Sequence, residues 1–421
     1  MNNNVPKNWE KVKLKKYIEI IRGVNYKSNE AYDYKDDNTT GILRANNISN
    51  NGILNFEKII YVDNKNIKNE QIIKKGDIII AMSSGSKDLV GKAAQARQDL
   101  NFAFGAFCGV VRPKNINSDF LGFYFLTDYY RNKISELSTG ININNLRKEY
   151  IENLDIMVPL NPKEQEEIVL VLGAMSDIIR LREKCISHAQ ALIPALFQEM
   201  FKEINKYNID VRQLVNMGII EKPLDGNHGE LHPKASDYVS QGIPFVMASD
   251  LINGKVDIYN CNFISEEQAK TLRKGFAKKD DVLISHKGTI GRTAIVQDID
   301  TDYIVLTPQV TYYRILDDSR INKYFLKSYF DSTYFQNILL SKAQKGATRA
   351  YVGITEQLSL PIYLPDIKQQ EQFANKVREI NSYIEEQQEE LKNAKQMFQS
   401  LLHHAFTGEL TRHKFGGDAN G

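Results

Sequence analysis

The chain has little cysteine: Cys108, Cys185 and Cys261 are scattered through 421 residues, and none forms a CxxC pair. That spacing excludes a disulfide framework and a paired-cysteine zinc site, and it points to a reducing, cytoplasmic setting. Long hydrophobic runs are missing too. None approaches the ~20 residues needed to span a bilayer, and residues 1–16 carry no apolar signal core. No strong charge excess exists either, since 54 basic residues face 52 acidic ones for a net +2. Its distribution is uneven, at net +5 for residues 1–160, −2 for 161–205, +1 for 206–365 and −2 for 366–421. An excess this weak implies a nucleic-acid partner only if it gathers into a local patch.

Catalytic signatures are also absent. No Gly-x-Ser-x-Gly elbow occurs. Gly85 and Gly91 are separated by five residues rather than four, and Ala93 stands where a phosphate loop places its magnesium-binding hydroxyl. Asn161-Pro162 is followed by Lys163-Glu164, so the Asn-Pro-Pro-Tyr motif of an adenine methyltransferase is missing. Glu390-Leu391-Lys392 falls in a helical stretch, where it reads as a solvated charge pair. His228 and His232 are four residues apart, but no strong helical pattern surrounds them and no third metal ligand is apparent.

What the chain does have is a duplication. Phe120-Leu121, Tyr124-Phe125, Tyr129 and Asn132 return 205 positions later as Phe325-Leu326, Tyr329-Phe330, Tyr334 and Asn337. Lys75-Gly76-Asp77-Ile78-Ile79-Ile80 returns as Lys279-Asp280-Asp281-Val282-Leu283-Ile284. A period this long means two whole domains with their linkers, not a solenoid. At this length each half can bury its own core. A hydrophobic content of 42% and a charged content of 25% are those of an ordinary globular protein.

Each copy ends in a helical seam. The first runs Ile168, Leu172, Met175, Ile179, Arg182, Ile186, Ala189, Ile193, Leu196, Met200. The second runs Phe373, Val377, Ile380, Ile384, Gln387, Leu391, Ala394, Phe398, Leu401, Ala405. Alternating steps of four and three over more than four heptads are the pattern of a coiled coil. Each seam is about 48 Å long at 1.5 Å per residue. Helices are expected over about 163–203 and 367–407, paired antiparallel with a pseudo-twofold axis; two helices packed separately on their own domains are the plain alternative. Arg182 and Gln387 match as polar breaks. They read as a register device or as tolerated polar residues that reach solvent.

Within each block the reading is mixed α and β. Residues 77–81 and 281–285 are expected as buried strands behind a charged turn, and 107–112 and 310–315 as a second matched pair. The aromatic stretches 120–134 and 325–339 have helical spacing and read as core rather than base-stacking groups. Two pairs of glycine loops stand out. Residues 83–92 match 285–292, with small residues interleaved with Lys, His and Arg, which suits close approach to an anion. Residues 138–147 and 344–351 supply Asn, Gln, Arg and Tyr, and Asn, Gln and Arg can read base edges bidentately. Plain solvated loops are the alternative.

These features, in this order and twice over, resemble the specificity subunits of type I restriction–modification systems. The resemblance rests on the alternation of blocks and helices and on two helix starts, Val158-Pro159-Leu160-Asn161-Pro162-Lys163-Glu164-Gln165 and Leu360-Pro361 through Gln369-Gln370. It also rests on Gly288-Thr289-Ile290-Gly291 behind its strand, and on Ala405-Phe406-Thr407-Gly408-Glu409-Leu410. The first copy departs in its stretched Gly85–Gly91 loop and in lacking Gly-Glu-Leu after Phe201.

The resemblance implies an α/β (α+β) fold with two duplicated α/β target-recognition domains, residues 1–160 and 206–365. They are separated by long helices within 161–205 and 366–421 that form an antiparallel coiled coil. Each domain would read half of a split DNA target, while the helices set the spacer and dock two methyltransferase subunits. Double-stranded DNA and motor–nuclease subunits complete the expected partners, with no membrane. The chain itself would be non-catalytic and hold no cofactor, since S-adenosylmethionine and ATP would be bound by partner subunits. The candidate DNA-binding residues are Arg44, Asn46, Lys87, Lys92, Asn144, Arg147, His286, Lys287, Arg292, Lys345, Arg349 and Tyr351. A coiled-coil interaction scaffold that never touches DNA is the competing reading.

Overall fold

The computed structural model describes residues 6–49, 51–84, 89–140, 145–204, 208–343 and 350–415. They form two compact units: Met1–Glu183 with Glu389–Gly421, and Lys184–Gln388. Each unit therefore contains one globular block and a part of each long helix.

In the first unit, the chain enters on strand Trp9–Lys13 and leaves on Asp155–Pro159, paired antiparallel. Between them lies a four-stranded sheet in the order Ile18–Arg22, Cys108–Pro113, Ile78–Ala81, Ala93–Gln95. A second sheet orders Ala31–Tyr32, Ile60–Asp63, Thr39–Leu43, Phe102–Phe104. The second unit repeats the plan. Asn208–Asp210 pairs with Pro361–Tyr363 at the mouth of the block. A six-stranded sheet runs Leu224–Asp225, Val310–Tyr313, Val282–Ser285, Thr293–Ile295, Gly254–Val256, Leu251–Ile252, and the strands of a five-stranded sheet, Tyr238–Val239, Asn262–Ile264, Ile243–Val246, Ile304–Leu306, Phe276–Ala277, interleave with it in sequence.

The strands expected at 77–81 and 281–285 are Ile78–Ala81 and Val282–Ser285, and every residue of both is buried. A strand covered on both faces needs a continuous apolar run, and both sequences supply one. The charged turn ahead of them has a structural purpose. Asp77 is buried and accepts from the Lys74 amide at 2.8 Å, and from Arg112 Nε and Nη2 at 2.8 and 2.7 Å. Asp281 does the same with Lys278 and Arg314 at 2.7, 2.9 and 2.7 Å. The turn requires a left-handed residue, Gly76 at φ 87° and Asp280 at φ 74°.

The aromatic stretches are core, as their spacing suggests: Phe120, Tyr124, Phe125 and Tyr130, and Phe325, Tyr329, Phe330 and Phe335, are all buried. Each stretch is two helices rather than one, Ser118–Tyr124 then Asp128–Gly140, and Lys323–Asp331 then Thr333–Ser341. A hydroxyl residue makes each break. Thr127 Oγ1 donates to Tyr124 O and accepts from Tyr130 N, and Ser332 Oγ donates to Tyr329 O and accepts from Phe335 N.

The long helices are Pro162–Met200 and Ile367–Thr407. All seam residues of both are buried or half-buried, whereas their neighbours on the helices are mostly exposed. In the first unit Ile168 and Leu172 share a core with Phe398, Leu402, Ala405 and Phe406. Further along, Arg182 bonds Glu390, and Glu183 pairs with Lys395 at 2.7 Å. In the second unit Phe197 and Phe201 lie against Phe373, ring centroids 5.5 Å apart in each case. Within each unit, then, the two helices run antiparallel. Arg182 meets its seam break with a cross-helix ion pair.

The helix starts are built alike. Gln165 Nε2 donates to Pro159 O while its Oε1 accepts from Asn117 N. Gln370 likewise ties Pro365 and Arg320 carbonyls to the Asn322 amide. In the first turn of the first helix, buried Glu164 accepts from Trp9 Nε1 at 3.0 Å and from Thr411 Oγ1, just past the end of the second helix, at 2.6 Å. This accounts for the Gly-Glu-Leu-Thr segment: Gly408, at φ 78°, lets the chain turn onto Trp9, where a Cβ would meet Pro6 at 2.4 Å.

Candidate nucleic-acid interface

The glycine loops read separately in the sequence meet in pairs. In the first unit Ser83 bridges Asn145, and the Leu146 amide donates to Met82 O at 2.6 Å. In the second, Lys287 bridges Tyr351, and the Val352 amide donates to His286 O at 2.9 Å. The two junctions are the same contact in both copies, with Met82 at the place of His286. Each follows directly from the end of a fully buried strand, so a rigid base carries the polar loop. The second junction is further braced by buried Gln357, which donates to Thr311 Oγ1 and Val352 O, both at 3.1 Å, and accepts from Tyr313 OH at 3.0 Å.

Lys287 and Tyr351 lie at the second junction, half-buried. Arg147, exposed, lies two residues beyond Asn145 and precedes helix Lys148–Glu152. Arg292 is exposed; its Nη1 donates to Ala248 O at 3.2 Å and Ser249 O at 3.4 Å, tying the glycine loop to the turn after strand Ile243–Val246. Lys92 is half-buried beside strand Ile78–Ala81, its carbonyl accepting from the Ala81 amide. Arg44 is half-buried and donates to Lys58 O at 2.9 Å, and Asn46 is exposed in the adjoining single turn Ala45–Asn47. Lys87, Asn144, Lys345 and Arg349 lie outside the described residues.

His286 needs correction. Read from the sequence as a DNA ligand, it is buried, and its Nδ1–H donates to Val352 O at 2.9 Å. It joins the two loops from beneath instead of facing solvent. Burial holds its pKa below the ordinary histidine value although Asp225 opposes this. Its Nε2 lies 3.9 Å from Asp225 Oδ2 and has no hydrogen-bond partner.

Sequence reasoning missed Asp225. Its buried carboxylate accepts from Lys274 Nζ and, at 2.8 Å, from His228 Nε2. Burial works against ionisation, but the hydrogen bonds from Lys274 and His228 outweigh it and hold the pKa below the ordinary aspartate value. Buried Asn227 completes the arrangement, donating to Lys274 O at 2.6 Å and accepting from the Arg273 amide at 3.0 Å. The Asp225-Gly226 dipeptide carries a usable signal. Gly226 has no room for a side chain, since a Cβ would stand 1.9 Å from Leu306 O. His228 and His232 are not a ligand pair: His228 is bound to Asp225, and His232 lies against Phe245 with centroids 5.6 Å apart. Among the described residues no three His, Cys, Asp or Glu side chains gather to hold a metal.

Residues 6–189 match the family model of the type I restriction modification DNA specificity domain. The chain is 26% identical to the EcoKI specificity subunit of Escherichia coli K12, over 97% of this chain and 90% of that one. It is 28% identical to the StySPI specificity subunit of Salmonella potsdam, with the same coverage. Its fold is similar to a chain from a structure on complex assembly and conformational transition of the type I restriction–modification system, with TM-score 0.55 and 16% identity over 97% of this chain and 100% of that one. It is also similar to the crystal structure of the type I S subunit from M. genitalium, with TM-score 0.52 and 14% identity over 96% and 97%.

Proposed function

Because the chain belongs to the family of type I restriction–modification specificity subunits, we propose that each of its two units reads one half of a bipartite duplex-DNA target. The observation that carries this is the duplicated loop junction, Ser83 with Asn145 and Lys287 with Tyr351. It presents asparagine, lysine, arginine and tyrosine from a buried-strand platform, and such side chains contact base edges and phosphates. The residues at the two junctions differ, so the two half-sites are expected to differ. The antiparallel helices measure the gap between half-sites and receive the methyltransferase subunits. Methyl transfer from S-adenosylmethionine, and ATP-driven translocation where a motor–nuclease is present, belong to the partners; this chain is non-catalytic and supplies the address. The DNA-free scaffold is disfavoured, because residues 6–189 match a DNA specificity domain.

The test is methylome mapping in cells expressing the chain with its methyltransferase partner. Arg147→Ala should relax or weaken one half of the motif and Lys287→Ala the other. Relaxation of both halves by either substitution would refute independent readers.

A further inference from the structure

We infer that Asp225, His228 and Lys274 form a second recognition element of the second unit, beside its loop junction, with His228 contacting a base edge and Lys274 an adjacent phosphate. This rests on the DNA-reading function proposed above, and it names residues outside both glycine loops.

The geometry supports it in three ways. First, Asp225 fixes His228 chemically. In the neutral ring Nε2–H donates to the carboxylate, so Nδ1 is left as a bare acceptor on a ring whose side chain is 53% exposed. A fixed acceptor suits the exocyclic amine that adenine or cytosine shows in the major groove. Lys274 spends one proton on the same carboxylate and keeps two donors. Second, the element is continuous with the reading site. His286, whose backbone joins the two loops, aims an unpartnered Nε2 into it from below, its side chain only 5% exposed. Asn227 meanwhile clamps the Arg273–Lys274 segment to the Asp225 turn.

Third, the two units differ in charge at this place. Strand Leu224–Asp225 pairs with Val310–Tyr313 so that Asp225 faces Thr311, and in the first unit Arg22 faces Gly109, the corresponding residue. Glycine follows in both, Gly23 and Gly226, each pressed against a backbone carbonyl. Arg112 Nη2 donates to Ile72 O as Arg314 Nη2 donates to Phe276 O, so Lys274 stands where the first unit has Glu70. Acid and base thus change places between the two positions, but among the described residues only the second unit joins them: Asp225 is buried and bonded to Lys274, whereas Arg22 is exposed. A pair required by the shared fold would be kept in both units, whereas a pair that reads one sequence need not be.

Asp225 is then a positioning residue, and His228 and Lys274 are contacts. The experiment maps the methylome of the complete assembly carrying His228→Ala, Asp225→Asn or Lys274→Ala, with melting curves of each chain. His228→Ala and Asp225→Asn should relax the same single base position of one half-site. Methylation of sites substituted there should rise about tenfold relative to the wild-type motif, and the other half should not change. Lys274→Ala should leave the motif intact and lower occupancy at all sites, with a binding salt slope smaller by about one. His228 is exposed and tests the idea even if Asp225→Asn fails to fold. A folded His228→Ala assembly whose motif is unchanged, relaxed at both halves, or lost altogether overturns the inference. A wild-type motif without two halves would instead overturn the reading beneath it.

Discussion

Arg112→Ala should destabilise the first unit more than Asp77→Ala does, although both break the same ion pair. The Asp77 side chain is 1% exposed and that of Arg112 is 20% exposed. Without Arg112, the carboxylate keeps one hydrogen bond, from the Lys74 amide at 2.8 Å, and has no route to water. A buried charge stripped of its partner costs about 3–5 kcal/mol. Without Asp77, the guanidinium still holds Ile72 O, and its side chain is already 20% exposed to solvent. That loss is closer to an unsatisfied hydrogen bond, about 1–3 kcal/mol. For a unit of this size, roughly 10 °C in melting temperature separates wild type from Arg112→Ala. Replacing both residues with leucine should recover much of the loss, because the desolvation of two charges disappears with them. The assay is urea unfolding followed by fluorescence of Trp9, the chain's one tryptophan, buried in this unit with its indole on Glu164. Equal or milder destabilisation by Arg112→Ala would show that the carboxylate is not the group at risk.

Acid should loosen the second unit. Burial holds His286 and His232 below the ordinary histidine value, so the unfolded chain binds more protons than the folded one as pH falls. Stability from these groups is complete above about pH 6.5 and is lost as pH falls below it toward their lowered values; the protection of strand Val282–Ser285 against hydrogen exchange, relative to the unfolded chain at the same pH, should fall over that range. His286→Asn should flatten the dependence, and an unaltered slope would exclude His286 as its source. Gly226→Ala should abolish folding of its unit, and Gly23→Ala should do so in the other, because a Cβ would lie 1.9 and 2.1 Å from carbonyl oxygens; normal protease resistance in either variant would contradict this. One heptad inserted into each long helix adds about 10 Å, or about three base pairs of spacer at 3.4 Å each, with unchanged half-sites; an active variant with the original spacer means the helices do not measure the gap.

The duplicated architecture was legible because its signals are periodic. Ile78–Ala81 and Val282–Ile284 announce themselves as unbroken apolar runs, and the seams as alternating steps of four and three. Positions where one side chain decides the backbone were harder. The aromatic stretches look continuous by spacing, yet Thr127 and Ser332 divide them by capping the next helix. Their hydroxyls were the available clue. The interface was legible only as separate loops. That they meet depends on pairings such as Ser83 with Asn145, which no local pattern encodes. His286 was misjudged for the same reason. Set between Ser285 and Lys287 it reads as a surface ligand, but the carbonyl that claims it belongs to Val352, 66 residues away. Asp225 escaped notice because Lys274, which bonds it, lies 49 residues away; His228, three residues on, was the one local clue.

The most direct measurement of whether each unit is a self-contained reader is a domain exchange. Each block is closed at its mouth by a two-stranded pairing, Trp9–Lys13 with Asp155–Pro159 and Asn208–Asp210 with Pro361–Tyr363. Residues 1–160 can therefore replace residues 206–365 while the helices stay as they are. The methylome of cells expressing this exchanged chain with the methyltransferase partner should show the first half-site in both halves of the motif. A motif that still contains the original second half-site would contradict the assignment of recognition to these blocks.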